Sequence, residues 1–149
     1  MAIQRMDNVL IVVEDMDAVI AFFVELGMEL QGRAPLEGPW AEQAGRIVGL
    51  ENVRQDVAML RTPDGSSGVE LAMFHSPKAI TPEPKNPPPN TLGIRRVMFA
   101  VDDLDDVVTR LRAIGAELVG TVEQYENIYR ICYVRGPEDI IVGLAQPLG

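Results

Sequence analysis

Few side chains in this chain of 149 residues belong to the types that usually act as nucleophiles or metal ligands. The sequence contains one cysteine, Cys132, and one histidine, His75. Cys132 lies in the apolar run Ile131, Tyr133 and Val134, which predicts a buried, unreactive thiol. With no second cysteine, an intrachain disulfide is ruled out. The scarcity of both residue types also limits the metal chemistry that the chain can support.

Aromatic side chains form a second group with possible chemistry. Trp40, Tyr125 and Tyr129 are expected in loops or at strand ends, where they could rim a pocket. The segment between the two tyrosines is predicted to be a turn, so that both rings could clamp a flat or polar ligand. The alternative is ordinary packing at an edge of the protein, with the hydroxyl groups in water.

The overall charge excludes one class of partner. A net charge of −9 disfavours nucleic acid, because phosphate binding requires clustered Lys and Arg. The acidity favours solubility; alternatively, it draws a cationic ligand into a cleft. No apolar run approaches the roughly 18 residues of a membrane span, so no membrane partner is expected. Residues 1–5 lack the layout of a signal peptide, and we therefore expect a cytoplasmic protein.

The elements that must position these residues occur twice. Residues 8–30 align without a gap on residues 96–118. Each copy begins with a β-branched run that predicts a strand, followed by Asp15 or Asp103 as a helix N-cap. An apolar stripe at helical spacing follows, and Gly27 or Gly115 is expected to end each helix. The duplication predicts two modules of the same architecture.

The remaining segments complete each module. Residues 55–61 and 69–74 predict one hairpin, residues 128–135 and 140–145 predict another, and residues 29–36 and 117–124 supply one further strand each. The proline-rich stretch 76–90 predicts an extended linker. Residues 38–49 are expected to form a short helix leaning on the sheet, with Trp40, Ala44, Ile47 and Val48 at helical spacing. The prediction is thus an α+β fold of two βαβββ modules, about 5–75 and 92–147, in one domain, 1–149.

These motifs resemble the vicinal oxygen chelate superfamily, which includes glyoxalase I, extradiol dioxygenases and bleomycin-resistance proteins. The resemblance rests on the strand and Asp-Met-Asp pattern at 9–17, on Arg61-Thr62-Pro63-Asp64-Gly65 before Val69-Glu70-Leu71, and on Tyr133-Val134-Arg135-Gly136-Pro137-Glu138. It implies that the two modules form a partial barrel around a central pocket. It also implies a small-molecule ligand and a homodimer, the commonest closed oligomer, although one chain already contains both modules and could be complete as a monomer.

Members of that superfamily that depend on a metal place four ligands at equivalent points, which correspond here to Asn8, Glu70, Arg96 and Gly143. A divalent cation needs oxygen or nitrogen donors at these points. Only Glu70 fits; Asn8 would bind weakly, Gly143 has no side chain, and Arg96 is a permanent cation. Strand parity places the remaining candidate, His75, on the face opposite Glu70, where a structural role is expected. We therefore expect no metal and no cofactor.

Arg96 and Glu70 invite two interpretations. In the first, they form an internal ion pair that fills the vacated metal site and contributes little net stability. In the second, Arg96 and Asn8 bind a carboxylate or polarise a carbonyl while Glu70 acts as general base.

Three functions follow from the resemblance. One is a glyoxalase-like lyase or isomerase that acts on a small carbonyl or carboxylate compound without the metal of the family. The alternative is a non-catalytic protein that sequesters a ligand, as bleomycin-resistance proteins do. A dormant scaffold domain is the third.

Overall fold

The computed structural model describes residues 3–83 and 85–149, and the chain divides into two compact units, Met1–Thr81 and Pro82–Gly149. Each unit begins with a strand and a helix and has a mixed sheet; three further strands and a second helix follow in the first unit, and four follow in the second, where one of the three predicted strands is divided in two. The prediction of an α+β fold built from two βαβββ modules is confirmed.

The first unit consists of strand β1 (Asn8–Val12), helix α1 (Met16–Leu26), strand β2 (Glu29–Leu36), helix α2 (Pro39–Val48), strand β3 (Arg54–Arg61) and strand β4 (Gly68–Ser76). The strand order is β1-β4-β3-β2, in which β1 runs parallel to β4 and the other pairs are antiparallel. Apolar side chains that alternate along the strands are buried together with the stripe of α1: Val19, Phe22, Phe23, Leu60, Val69 and Leu71. Burial of this kind of surface drives folding.

The second unit consists of strand β5 (Val97–Ala100), helix α3 (Leu104–Ala113), strands β6 (Glu117–Leu118), β7 (Glu123–Tyr125) and β8 (Tyr129–Arg135), a short 3-10 turn (Pro137–Asp139) and strand β9 (Ile141–Pro147). The order is β5-β9-β8-β6, and β7 also pairs with β8. The core residues of this unit lie on α3 and on the sheet face beneath it: Leu104, Val107, Leu111, Cys132, Val134, Val142 and Leu144.

The two units match in detail. The Asp15 carboxylate accepts a hydrogen bond from the backbone N–H of Ala18, and Asp103 accepts one from Asp106 in the same way. These are the two N-caps that the repeat predicts. Gly27 and Gly115 both adopt positive φ, at 126° and 101°, where a side chain would be strained. The duplication therefore extends to the N-caps and to a glycine of positive φ after each helix, although Gly27 is itself the C-cap of α1 whereas Ile114, the residue before Gly115, is the C-cap of α3.

The strand predicted over 117–124 is interrupted. It pairs with β8 at Leu118 opposite Val134 and again at Glu123 opposite Ile131. Residues 119–122 thus span a stretch of β8 that contains only residues 132 and 133, and the chain bends at Gly120 to absorb the excess. The sequence predicted one continuous strand, but the unequal lengths of the two partners break it into β6 and β7.

Helix α2 forms where predicted, but its apolar stripe does not lean on the sheet. Trp40, Ile47 and Val48 are 68%, 78% and 54% exposed, respectively. The helix buries Ala41 and Gly45 instead, because the missing side chain of Gly45 allows close approach: a Cβ there would lie 2.6 Å from the carbonyl oxygen of Leu50. Small residues therefore decide the orientation of this helix.

Ser76, at the start of the proline-rich segment, still belongs to β4, and the other described residues of the segment, 77–83 and 85–90, form no helix or strand. The later part of the segment is nevertheless attached to the second unit. The Asn86 backbone N–H donates to the Asp139 carboxylate at 2.7 Å, and the Arg135 guanidinium donates to the Pro87 carbonyl at 3.2 Å. Within the ranges that the structure describes, no helix is long and apolar enough to cross a membrane.

Candidate functional site

The far face of each sheet, defined as the face opposite α1 or α3, carries most of the predicted site residues. In the second unit, Met98 on β5, Gly143 on β9 and Tyr133 on β8 lie at one level, because each is paired directly with the next across the sheet. Arg96 precedes β5 by one residue and has the strand parity of Met98. Their neighbours Val134, Val142 and Leu144 point the other way and are buried. Arg96, Met98, Gly143 and Tyr133 therefore form one continuous surface.

Gly143 leaves room for the Arg96 side chain to cross the sheet. A Cβ atom at position 143 would lie 3.3 Å from the Cδ of Arg96 and 2.6 Å from the Cε of Met98. The first distance is tighter than an ordinary van der Waals contact, and the second would force the Met98 methyl group to move. The space above Gly143 is consequently filled by these two side chains.

Beyond Gly143, the Arg96 guanidinium contacts the side chain of Tyr133. The Nε–H of Arg96 donates to the Tyr133 hydroxyl oxygen at 2.6 Å, and the guanidinium carbon lies 5.5 Å from the centre of the ring. A hydrogen bond from a charged donor and a cation–π contact therefore act on the same group. Within the described part of the second unit, the two terminal nitrogens of Arg96 have no hydrogen-bond partner. Arg96 thus presents its terminal N–H groups unpaired within this unit.

Tyr125 and Tyr129 lie on the same far face, further along β8. They are directly opposite each other where β7 pairs with β8, and their ring centres are 5.7 Å apart with a tilt of 32°. The predicted turn between them is present as the three residues that close this hairpin. All three tyrosines of the chain therefore share one face with Arg96. Trp40 does not belong to this group, since it lies in α2 of the other unit and not in a loop or at a strand end.

Sequence reasoning missed Tyr133 as a site residue. The signal that could have identified it is the alternation of Tyr129, Ile131 and Tyr133 on one strand, opposite in parity to the apolar Cys132. Cys132 itself lies on the side covered by α3, and burial raises the pKa of its thiol, as expected for an unreactive cysteine.

The first unit places Asn8 and Glu70 on its far face. Leu10 pairs with Glu70 and Asn8 pairs with Gly68, so Asn8 and Glu70 are diagonal neighbours on adjacent strands. In the second unit, Arg96 has the same diagonal relation to Gly143, since Met98 pairs with Gly143. The four positions that the resemblance singles out are thus structurally equivalent in pairs.

Asn8 is held by an ionic cluster at the start of β1. Its Nδ2 group donates to the Asp7 carboxylate at 2.8 Å, and Arg61 donates to the Asp7 carbonyl at 3.0 Å. Hydrogen bonds from Asn8, Arg5 and Arg61 lower the pKa of the Asp7 carboxyl, with Asn8 the largest cause. One N–H of the Asn8 amide is therefore already used, and one remains.

Glu70 is partly buried and lies opposite Met59 on β3. Among the described residues of the first unit, no hydrogen bond or ion pair engages its carboxylate. His75 has the opposite parity, is 43% exposed and pairs with Asp56 at 3.4 Å. This histidine has the structural, partly solvated environment that its strand parity predicts.

The residues at these four positions do not fit the divalent metal that the fold family implies. Gly143 offers neither a donor nor space for one, and Arg96 brings a fixed positive charge. In the part of the chain that the structure describes, no group of three or more His, Cys, Asp or Glu side chains could hold a metal ion. The far faces carry instead a guanidinium in one unit and a carboxylate in the other.

Comparison with known proteins agrees with this fold. The family model of the Glyoxalase/Bleomycin resistance protein/Dioxygenase superfamily matches residues 5–142. The chain belongs to this superfamily. A crystal structure of a glyoxalase family protein from Bacillus cereus is 52% identical, with a TM-score of 0.92, covering 100% of this chain and 99% of that one.

More distant structures show the fold alone. A glyoxalase/dioxygenase from Nostoc punctiforme is 19% identical, with a TM-score of 0.68 and coverage of 98% of this superfamily member and 92% of that chain. An antibiotic-binding protein, TnmS3 from a Streptomyces species, is also 19% identical, with a TM-score of 0.61 and coverage of 99% and 98%. No curated protein matched the chain.

Proposed function

We propose that this superfamily member binds a small carbonyl or carboxylate compound without the metal of the family, and that it catalyses a lyase or isomerase step. Arg96 and Asn8 hold the oxygen atoms of the ligand, and Glu70 is the general base. The observation that carries this proposal is the path of the Arg96 stem over Gly143, a position equivalent to a metal ligand of relatives that depend on a metal, with the guanidinium beyond it at Tyr133.

The proposed reaction develops negative charge on the ligand. Removal of a proton next to a carbonyl group leaves negative charge on the oxygen, and a fixed cation stabilises that charge. Arg96 is permanently charged, and its terminal N–H groups have no partner within their own unit. In this role it supplies the electrostatic stabilisation that a metal supplies elsewhere in the superfamily.

Glu70 suits the role of general base because, among the described residues of its own unit, none forms a hydrogen bond or ion pair with its carboxylate. A general base must be ionised and able to reach the proton that it removes. Asn8, diagonal to Glu70 on the same face, retains one amide N–H for an oxygen atom of the ligand. Trp40, Tyr125 and Tyr129 complete the proposed binding set. The paired tyrosines are better placed for a contact with a ligand than Trp40, whose side chain is exposed on α2.

Proton exchange tests the proposal without knowledge of the natural substrate. In D2O, the protein should accelerate deuterium incorporation next to the carbonyl group in at least one member of a panel of 2-oxo acids that starts from pyruvate, followed by NMR. Glu70→Gln should abolish the acceleration and Arg96→Met should reduce it, whereas Glu51→Gln, at an exposed carboxylate, should not change it. Rates equal to those in buffer alone, across the panel, would contradict a base function.

Ligand sequestration without catalysis is the second candidate. It is supported by the incomplete metal set and by the fold that the chain shares with an antibiotic-binding protein. The net charge of −9 favours a cationic ligand in that case, whereas Arg96 favours an anionic one. Tight binding of a cationic compound, unaffected by Arg96→Met and without proton exchange, would support sequestration.

A cytoplasmic homodimer is part of the proposal. Family members commonly pair through a two-fold axis, and two-fold dimers are the most common oligomers. Light scattering coupled to size-exclusion chromatography should give twice the chain mass. A single species at the mass of one chain would contradict the dimer but not the ligand chemistry.

A further inference from the structure

We infer that the ligand of Arg96 is a planar carboxylate bound by the two terminal nitrogens of the guanidinium, and that Tyr133 is the positioning residue that selects this binding mode. The inference rests on the proposed function, in which Arg96 binds ligand oxygen atoms. It narrows the ligand from a carbonyl or carboxylate compound to a carboxylate, and it assigns a role to a tyrosine outside the predicted site.

Only one edge of the Arg96 guanidinium is available for a pair of parallel hydrogen bonds to a ligand. A guanidinium is planar and can offer two parallel N–H bonds either along its Nε edge or at its end, between Nη1 and Nη2. The Nε–H of Arg96 is committed to the Tyr133 hydroxyl at 2.6 Å. The remaining parallel pair lies at the end of the group. Two parallel donors match the two oxygen atoms of a carboxylate, whereas an amide or ketone offers one uncharged oxygen and cannot accept two parallel charge-assisted bonds.

Several contacts hold the Arg96 guanidinium in this orientation. The aliphatic stem of Arg96 passes over Gly143, with Met98 beside it, and the guanidinium lies against the Tyr133 ring. Packing beside Gly143 and Met98, contact with the Tyr133 ring and the hydrogen bond to the Tyr133 hydroxyl therefore constrain the Arg96 side chain from three directions. A side chain ordered before binding loses less conformational entropy when the ligand arrives. Tyr133 thus contributes to binding by acting on Arg96.

Beyond Tyr133, the far face of β8 offers a surface for the part of the ligand that follows its carboxylate. From Tyr133, the next far-face residue along β8 is Ile131 and the one after it is Tyr129, which pairs with Tyr125. At about 3.4 Å per residue, Ile131 lies about 7 Å from Tyr133 and Tyr129 about 14 Å away, measured along the strand. A carboxylate held at Arg96 can therefore place an apolar body over Ile131. The surface suits a carboxylate on a flat or apolar frame better than a small polar acid.

The probes for the experiment are 3-phenylpropionate, propionate and 3-phenylpropionamide, titrated by calorimetry into the full chain. We expect 3-phenylpropionate to bind at least about tenfold more tightly than its amide and than propionate. Arg96→Met should remove the difference between acid and amide. Tyr133→Phe, which keeps the ring, should weaken binding of the acid about five- to tenfold while leaving the amide nearly unchanged. Arg112→Met, at an exposed arginine of α3, is the matched control and should bind like wild type.

A second readout follows Arg96 without any ligand. In a 15N-labelled sample, the Nε–H signal that Arg96→Met removes identifies Arg96. A proton engaged by the Tyr133 hydroxyl should exchange slowly with water in the wild-type protein, and Tyr133→Phe should broaden or lose this signal. A tyrosine that only fills space would leave the Nε–H signal unchanged when its hydroxyl is removed.

The outcomes separate this inference from the proposed function. Equal binding of acid and amide to the wild-type protein, or no saturable binding of 3-phenylpropionate up to about 10 mM, would overturn the carboxylate assignment. Unchanged affinity and an unchanged Nε–H signal in Tyr133→Phe, with loss of binding in Arg96→Met, would overturn the role of Tyr133 and leave Arg96 as the anion site. Failure of the proposed function appears elsewhere, as absence of proton exchange with the 2-oxo acids.

Discussion

Arg96 donates its Nε–H to the hydroxyl oxygen of Tyr133 at 2.6 Å, and its stem reaches that position by passing over Gly143. The contact joins β5 to β8 across the intervening β9. It explains why a glycine is suitable at a position where relatives dependent on a metal carry a ligand. The side chain that is missing at 143 is replaced by the aliphatic part of an arginine from the neighbouring strand.

The first prediction follows from that packing. Gly143→Val should displace Met98 and Arg96, because the added Cβ alone would lie 2.6 Å from the Met98 Cε and 3.3 Å from the Arg96 Cδ. Because the Met98 Cε is the end of a flexible side chain and Arg96 is exposed, we expect the free energy of unfolding to fall by about 1 kcal/mol, the low end of the cost of overpacking. Chemical denaturation measures the effect. Gly32→Val is the control, because a Cβ at Gly32 meets nothing within 4 Å, and it should change stability by about 0.5 kcal/mol or less. Wild-type stability in Gly143→Val would contradict this packing.

The repeat could be read from the sequence because it rests on local patterns. Asp15 and Asp103 precede apolar stripes of the same spacing, and capping depends only on neighbouring residues. The hairpin around Asp64 was predictable for the same reason, since its turn residues act on each other.

The contact of Arg96 with Tyr133 could not be read in this way. The two residues are distant in sequence, and only the register of β5, β9 and β8 places them together. The orientation of α2 was mispredicted because the apolar residues Trp40 and Ile47 dominated the pattern. The small residues Ala41 and Gly45 decide the packing, and their effect depends on the tertiary structure.

The second prediction concerns metal content. Protein purified without a histidine tag should contain no stoichiometric zinc, nickel, iron or manganese, because two of the four family positions carry Arg96 and Gly143. Elemental analysis by mass spectrometry decides the matter. About one metal ion per chain, lost in Glu70→Ala, would show that Glu70 anchors a site that the donor set does not suggest.

The third prediction concerns acid stability. Hydrogen bonds from Thr62 and Ser66 lower the pKa of Asp64 to about 2, from an ordinary value of 3.8. A carboxyl whose pKa is lowered in the folded state stabilises that state above the unfolded pKa, and the contribution disappears as pH falls through the folded pKa. The stability of the wild-type protein should therefore lose this contribution between about pH 4 and pH 2.

The comparison for this prediction is Asp64→Asn, which cannot ionise. Its free energy of unfolding, measured by urea denaturation, should decline less steeply than that of the wild type over the same pH range. Asp102→Asn, at an exposed position of the second unit, is the matched control for removing one carboxylate. If Asp64→Asn follows the wild-type curve through this range, the turn does not depend on the charge of Asp64.

The last prediction concerns Arg96 and Glu70, which belong to different units. The sequence predicts that they pair, directly or through one water molecule, on the expectation that Arg96 is buried; within their own units Arg96 is exposed and Glu70 is partly buried. A double-mutant cycle with Arg96→Met and Glu70→Gln should give a coupling energy of about 0.5–3 kcal/mol in the free energy of unfolding. If the pair is structural, Arg96→Met should leave stability almost unchanged, while Arg96→Ala should destabilise the protein.

Ligand binding separates the two interpretations of this pair. If the pair is a ligand site, Arg96→Met and Arg96→Ala should both abolish binding of the carboxylate, with the stability of the methionine variant little altered. Arg110→Met is the control, because Arg110 pairs with Asp106 at the surface and its removal measures the change in stability caused by losing an exposed ion pair. Strict additivity of Arg96→Met and Glu70→Gln, in both stability and binding, would show that the two residues act independently. Arg96 and Tyr133 would then form the anion site without Glu70, and a residue other than Glu70 would have to act as the general base.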